Sequence, residues 1–352
     1  MIMEVLLRQA TGIRTQALCA IGMILMLGTS PSIDAAPVKP SSTLDLSVWR
    51  LPPVPRVKDI PMVDLGRQLF FDPRLTGSDA ISCAQCHLPG LEYSDGRPRP
   101  MPQPLTLGRN TIALINVGDR KTFFWDGRAD SLTAAITAHL AESSSSASEH
   151  PSHAIVANVS ALDGYRQAFA RVFHAQKISI REISQALAAY LRTLSERDTP
   201  FDRWTNGDAH ALSEEAKQGF EIFTTKAGCV RCHTPPYFSD FHFHNIGMNS
   251  IDPGRYEVTG KADDRGAFRT PDLRQVARTA PYMHNGSLAT LADVIDFYNK
   301  GGDRLDPSNE LKPIGLSDHE QHALLMFLYS LTDEHPHTEP FPVLPALGQM
   351  PQ

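Results

Sequence analysis

Apolar residues recur at helical spacing along most of the chain. From Ser179 the pattern runs through Ile183, Leu187, Leu191 and Leu194, an interval that lays one apolar stripe along a helix. Ser179 and Glu182 supply a capping box at its start. A second pattern opens at Ser317 with Glu320 and continues through Leu324, Leu325, Phe327, Leu328 and Leu331. A third opens at Thr290 with Asp293, carries Leu291, Val294, Ile295 and Tyr298, and stops at Gly301 and Gly302. No run of alternating polar and apolar residues is long enough to predict a strand. Two shorter segments echo each other, Gly66-Arg-Gln-Leu69-Phe70 and Gly219-Phe-Glu-Ile222-Phe223. The Pro-rich stretch "LPPVPRVKDIP" at 51–61 predicts an extended arm, "AESSSSASEH" at 141–150 a loop, and Asn206-Gly207-Asp208 a boundary. The expectation is an all-α protein.

Length and charge add bounds. A chain of 352 residues has room for about two domains, each with its own core. The net charge is −6 without a block of like charge, so nothing points to nucleic-acid binding. At the N-terminus Arg8 and Arg14 precede an apolar stretch, Ala17 to Leu27, followed by small residues. That order is a secretory signal, expected to occupy residues 1–36 with cleavage near Ala35 or Ala36. The apolar run falls short of the about 20 residues a membrane span needs, although an uncleaved anchor is the competing reading. Export to the periplasm follows, with no membrane span after cleavage.

The cysteines carry the chemistry. Of five, Cys19 falls in the signal, and the other four sit in two copies of Cys-x-x-Cys-His: Cys83, Cys86, His87 and Cys229, Cys232, His233. In this motif two thiols form thioethers to the haem vinyl groups and the adjacent His is the proximal iron ligand. Composition alone would give roughly 0.003 copies in a chain like this. A zinc site would set its cysteine pairs about 12–20 residues apart, whereas Cys86 and Cys229 are 143 apart (229 less 86). Neither motif has the βαβ context of a thioredoxin-like site. Each motif follows one of the two echoed glycine segments. The expectation is two covalently bound haem c groups, in two cytochrome c-like domains packed together at residues 37–205 and 206–352.

Several stretches resemble the diheme cytochrome c peroxidase/MauG family: "LGRQLFFDPRLTG", "ISCAQCH", "GRNTIALINV", "FFWDGRADSL", "FRTPDLRQVARTAPYMHNGS" and "VIDFYNKGG", which lie between residues 62 and 332. "HFHNIGM", after the second haem motif, is similar to the MauG branch. The resemblance implies a peroxide-reactive N-terminal haem and a six-coordinate C-terminal haem that stores or relays oxidising equivalents. It implies that Trp125 of "FFWDGR" lies between the haems and couples them, although a lone tryptophan there would read as a core aromatic. It further implies a calcium ion held by Asn110 with the carbonyls of Thr279 and Pro281, hard oxygen ligands of the kind calcium takes. Asn110 alone would read as a turn residue.

The distal ligand of the second haem divides the family. Typical diheme peroxidases place a Met where this chain has Tyr298, 17 residues after Pro281, and MauG-type members have a Tyr. A phenolate-type ligand favours high iron oxidation states, whereas a soft Met ligand raises the potential and suits electron entry. Met248 and Met283 are the competing ligands, and by periodicity alone Tyr298 could be a core residue. The peroxide pocket departs from the family. Ala135 stands at the usual Gln position, and the Asn-Pro-x-Glu-Met-type segment is absent. Glu149 is the candidate acid/base, Glu142 the second choice, and His139 a candidate sixth ligand or acid/base of the first haem. Lys226-Ala227-Gly228 carries no aromatic before the second haem motif, which removes one electron exit route.

Three functions follow from this resemblance. In the first, hydrogen peroxide drives oxidation of a periplasmic protein; for MauG that is the methylamine dehydrogenase precursor, which gains its tryptophan tryptophylquinone cofactor. In the second, a small cytochrome donates electrons for peroxide reduction. The third is a non-catalytic diheme electron carrier.

Overall fold

A computed structural model describes residues 45–54, 58–76, 82–98, 108–143, 151–174, 177–303 and 308–345. The expected signal, residues 1–36 with Cys19, and Glu149 lie outside the described residues. The helices run in the order α1 Ile60–Phe71, α2 Cys83–Cys86, α3 Leu132–Ser143, α4 Pro151–Ala161, α5 Asp163–Phe173, α6 Ile180–Leu191, α7 Pro200–Thr205, α8 Glu214–Thr224, α9 Tyr256–Thr259, α10 Leu291–Lys300 and α11 Asp318–Ser330. The fold is predominantly helical. Two residues, Phe243–His244 (β1), pair antiparallel with Phe268–Arg269 (β2), with Phe243 opposite Arg269 and His244 opposite Phe268.

The local rules that predict the three main helices hold. Ser179, Thr290 and Ser317 each cap a helix, with Glu182, Asp293 and Glu320 closing the box. Gly301 ends α10 in the left-handed region. The Pro-rich arm ends sooner than expected, because Asp59 caps α1 and draws Ile60 and Pro61 into it. A proline in the first turn sacrifices no hydrogen bond, so the helix accepts it.

The two glycine segments become α1 and α8, and each glycine is a contact point between helices. A Cβ on Gly66 would stand 1.9 Å from the Ala186 carbonyl oxygen of α6, and one on Gly219 would stand 2.0 Å from that of Ala323 on α11. No side chain fits there, so α1 crosses α6 and α8 crosses α11 at backbone distance.

Buried apolar side chains form two clusters. One gathers Leu65, Leu69, Phe70, Leu140, Ile155, Phe169, Ile183 and Leu187 from α1 and α3–α6. The other gathers Phe201, Phe220, Phe223, Phe238, Ile295, Leu324 and Phe327 from α7, α8, α10, α11 and the loop after the second haem motif. The chain ends cross between them. Trp49 packs edge-on against Phe220 in the second cluster. The tail after α11 returns to the first half, where Phe341 meets Phe71 at 5.3 Å and Glu339 accepts from Tyr93 at 2.6 Å.

Candidate functional site

Both Cys-x-x-Cys-His motifs fold into one tight turn. In the first, Ser82 caps α2 with Gln85 returning to its amide at 2.9 Å, and the His87 amide bonds back to the Cys83 carbonyl at 2.8 Å. In the second, a 3₁₀ turn over Cys229–Arg231 brings the His233 amide to the Cys229 carbonyl at 2.9 Å. The turns set both thiols and the imidazole beside one another. Burial pushes the Cys83 and Cys229 thiols up to about 12, so they stay protonated, and all four motif cysteines are free of disulfides.

Each histidine is oriented the same way. Nδ1 of His87 lies 2.7 Å from the Tyr93 carbonyl, and Nδ1 of His233 lies 2.8 Å from that of Phe238. A carbonyl only accepts, so Nδ1 carries the proton and Nε2 offers its lone pair, the tautomer an iron ligand needs. Burial, then the neighbouring His139, lowers His87 to about 4 and keeps it neutral. The two acceptor residues, Tyr93 and Phe238, are themselves fully buried.

A cavity of about 480 Å³ opens on the second motif, lined by Cys229, Cys232 and His233. Its size falls within the about 300–1,000 Å³ typical of cofactor sites. Tyr298 on α10 lines the same cavity, and burial followed by the adjacent Cys229 and Cys232 pushes its phenol up. Met248 and Met283 line it too. Cys232 also sits near Asp240 and His244, but His244 is already held by Asp240 and Glu310, each at 2.9 Å.

Trp125 and the three residues expected at a calcium ion line this cavity as well. The Trp125 indole N–H donates to the Asn110 carbonyl at 2.8 Å, and its own carbonyl accepts from the Arg269 amide at 2.8 Å. Asn110 bridges to the C-terminal half: its amide nitrogen Nδ2 donates to the Pro281 carbonyl at 2.5 Å, and its backbone N–H to the His284 carbonyl at 2.6 Å. Asn110 and Pro281 are thus brought together, with Thr279 on the same wall. Rotating the Asn110 amide would turn Oδ1 toward the carbonyls, an oxygen set that fits calcium.

Arg269 is a candidate site residue that sequence reasoning missed. Only 2% exposed, it donates to the Phe124 and Thr270 carbonyls at 3.2 and 3.1 Å. No carboxylate pairs with it among the described residues, and burial, reinforced by Arg120, pulls it down to about 9. A buried, unpaired cation on a cavity wall calls for an anionic ligand, and haem propionates are such groups. The donor set and this charge therefore fit a haem. The sequence signal was only the arginine of "FRTPDLR", which nothing local marks as buried.

Around the first motif, Ala135 is buried in the first core, and Glu142 is exposed and tied to Arg128 at 2.9 Å. His139 on α3 instead meets His87, ring centre to ring centre at 6.3 Å.

The sequence was compared with known proteins. Residues 61–210 match the family model for di-haem cytochrome c peroxidase. The methylamine utilization protein MauG of Methylorubrum extorquens is 40% identical over 291 residues, covering 80% of this chain and 82% of that protein. The cytochrome-c peroxidase IdrP1 of Denitromonas iodatirespirans is 36% identical over 335 residues, covering 84% and 89%. A crystal structure of a MauG-like protein associated with microbial copper homeostasis superposes with a TM-score of 0.73 at 30% identity, covering 85% of this chain and 98% of that one. The chain therefore belongs to the di-haem cytochrome c peroxidase/MauG family, a family of peroxidase-type oxidoreductases that work with two haem groups.

Proposed function

We propose that the chain carries two covalently attached haem c groups, on Cys83, Cys86 and His87 and on Cys229, Cys232 and His233, and couples peroxide reduction to oxidation of a protein substrate. The observation that carries this reading is Tyr298, which shares the second haem's cavity with His233. The bound haems supply the redox chemistry: hydrogen peroxide takes up two electrons and two protons to give two waters, the electrons coming from the substrate. The protein's part is to hold each imidazole in one tautomer, to place the Tyr298 phenol in the cavity of His233, where it would offer a bound haem an oxygen ligand, and to fix Trp125 beside that cavity. A phenol-derived ligand lowers the second haem's tendency to accept electrons from a donor cytochrome and favours storage of oxidising equivalents.

Around this core stand the remaining assignments. Trp125 couples the two sites, and Asn110 with the Thr279 and Pro281 carbonyls holds calcium at the seam between them. The halves 37–205 and 206–352 each serve one haem. Residues 1–36 direct export, so the enzyme works in the periplasm. No helix among the described residues is long and apolar enough to cross a membrane. The substrate suggested by the MauG relative is a methylamine dehydrogenase precursor, in which the product is the tryptophan-derived quinone.

A second reading has its own support. Met248 and Met283 line the same cavity as Tyr298, and a Met ligand would suit a peroxidase fed by a small cytochrome. Spectra of the reduced holoprotein separate the two. The proposal expects no Met-ligand character at the second haem and its appearance in Tyr298→Met. Met character in the unaltered protein, with rapid turnover of reduced cytochrome c by peroxide, favours the second reading instead.

A further inference from the structure

The two carbonyls that orient the proximal histidines are anchored differently. Both belong to residues in the left-handed region, Tyr93 at φ 61° and Phe238 at φ 56°. That conformation is costly for a large side chain and persists only where the surroundings impose it. Around Phe238 the surroundings are apolar: Trp49, Phe201, Phe223 and Phe327 pack on its ring with centres 4.7–5.9 Å away. Around Tyr93 they are polar. Glu92 before it is left-handed as well, at φ 53°, and the Tyr93 phenol is bound to a carboxylate. That carboxylate is Glu339, which arrives from the tail after α11. Its Oε2 accepts from the Tyr93 hydroxyl at 2.6 Å and from the Tyr190 hydroxyl of α6 at 2.5 Å, while Oε1 accepts from Arg67 of α1. Burial would raise the Glu339 carboxyl, but His337, Tyr190, Tyr93 and Arg67 together outweigh it and hold the group at about 2. Hydrogen bonds to an ionised acceptor are about twice as strong as neutral ones.

Fastening the tail needs only Arg67, which binds Glu339 and the Pro340 carbonyl at the surface. The two buried phenols add a link from the tail to the turn that orients His87. Glu92 in the same turn lies 3.5 Å from Arg278, whose neighbour Thr279 lines the cavity of the second motif. Both residues of the turn are therefore held by side chains from the C-terminal half of the chain. We propose that Glu339 is a positioning residue for the first haem: through the Tyr93 phenol it fixes the carbonyl that accepts from His87 Nδ1–H, and so sets how strongly that imidazole donates to its iron. This rests on the reading of Cys83, Cys86 and His87 as a haem site. A short bond from Nδ1, 2.7 Å here, makes the imidazole a stronger base and favours the ferric iron. Slackening that bond raises the potential. The acceptor of the second haem is held by aromatic packing, so that haem lies outside the effect.

The test is a redox titration of the holoprotein with both haems attached, each haem followed by its own absorption, in the natural sequence, Glu339→Ala, Glu339→Gln and Tyr93→Phe. Glu339→Ala is expected to raise the ferrous-to-ferric ratio of the first haem about three- to tenfold at fixed potential and to leave the second haem where it was. That is a shift of about 28–59 mV, at about 59 mV per tenfold for one electron. Tyr93→Phe keeps the buried charge and the ring but loses the tether, and should reproduce the shift. Adding Glu339→Ala to it should contribute little more, because the two act through one link. Glu339→Gln loses the charge but still offers the phenols an oxygen, and should stay within about twofold of the natural ratio. Should Glu339→Ala shed the first haem, Tyr93→Phe and Glu339→Gln still decide. A first haem unmoved by Tyr93→Phe, or moved as far by Glu339→Gln as by Glu339→Ala, overturns the positioning role and leaves the haem-site reading standing. A purified protein carrying haem on the second motif alone overturns both.

Discussion

Arg274 and Asp202 offer the sharpest test of how the second haem site is held. Their side chains are 1% and 5% exposed and form an ion pair. Arg274 also donates to the Trp49 carbonyl at 3.1 Å and to the Pro236 carbonyl at 3.1 and 3.3 Å. Asp202 accepts from the Thr199 hydroxyl at 2.8 Å. Pro236 lies in the loop whose Phe238 carbonyl orients His233, so the pair ties helix α7, the N-terminal arm and the proximal loop into one unit. Arg274→Met would strand a buried carboxylate and leave the Trp49 and Pro236 carbonyls without this donor. Breaking such a pair from one side costs about 3–5 kcal/mol, and we expect Arg274→Met near the middle of that range. The double variant Arg274→Met with Asp202→Asn removes the stranded charge and should recover about 2–3 kcal/mol, a coupling of the size neighbouring buried groups show. The assay is denaturant unfolding of the holoprotein, followed by helical ellipticity and by the haem absorption of the second site. A cost under about 1 kcal/mol for Arg274→Met, or strict additivity in the double variant, would refute the burial and pairing on which this reasoning rests.

Other outcomes are expected. Gly66→Ala and Gly219→Ala should each cost about 1–3 kcal/mol in thermal unfolding, because overpacking at a backbone contact outweighs the helix propensity that alanine adds. His337 is raised to about 9 by its hydrogen bond to Glu196 at 3.1 Å and by the Glu339 carboxylate 3.8 Å away. A raised folded value means its stabilisation is full below the unfolded value of about 6.5 and fades as pH rises through about 9. The unfolding free energy should therefore drop by on the order of 1–3 kcal/mol across that window, and His337→Gln should flatten the drop. Trp125→Phe keeps an aromatic ring but loses the N–H bond to Asn110, about 0.5–1.5 kcal/mol of stability. It should also slow the appearance of peroxide-induced changes at the second haem about tenfold in stopped-flow spectra, a barrier rise of about 1.4 kcal/mol.

Much of this was legible from local rules. The capped helices from Ser179, Thr290 and Ser317 are written in residues a few positions apart, and the haem motifs close on their own turns. The glycines of the two echoed segments were visible, but the carbonyls they approach lie more than a hundred residues away in sequence. Helices α4 and α5 were passed over, since Pro151–Ala161 opens without a predicted cap and its apolar positions lack a clean stripe. Arg269 escaped for a different reason: its burial follows from the cavity it lines, and no neighbour in sequence marks it. His139 was recognisable as a candidate, yet its ring contact with His87 follows from how helix α3 packs on the first motif. The roles of Glu339 and Trp49 are not legible in the sequence, because both act in cores built from distant segments.

The account stands or falls on whether peroxide alone loads oxidising equivalents into the diheme protein. The measurement is a titration of fully oxidised holoprotein with hydrogen peroxide, without any donor cytochrome, recording both haem absorptions until each addition has finished reacting. The account predicts that one equivalent of peroxide alters the spectrum at both haems and that the change persists until two electrons per molecule are returned. Tyr298→Met should shorten that persistence. A protein that ignores peroxide when oxidised, and turns it over only after reduction by a small cytochrome, would contradict it.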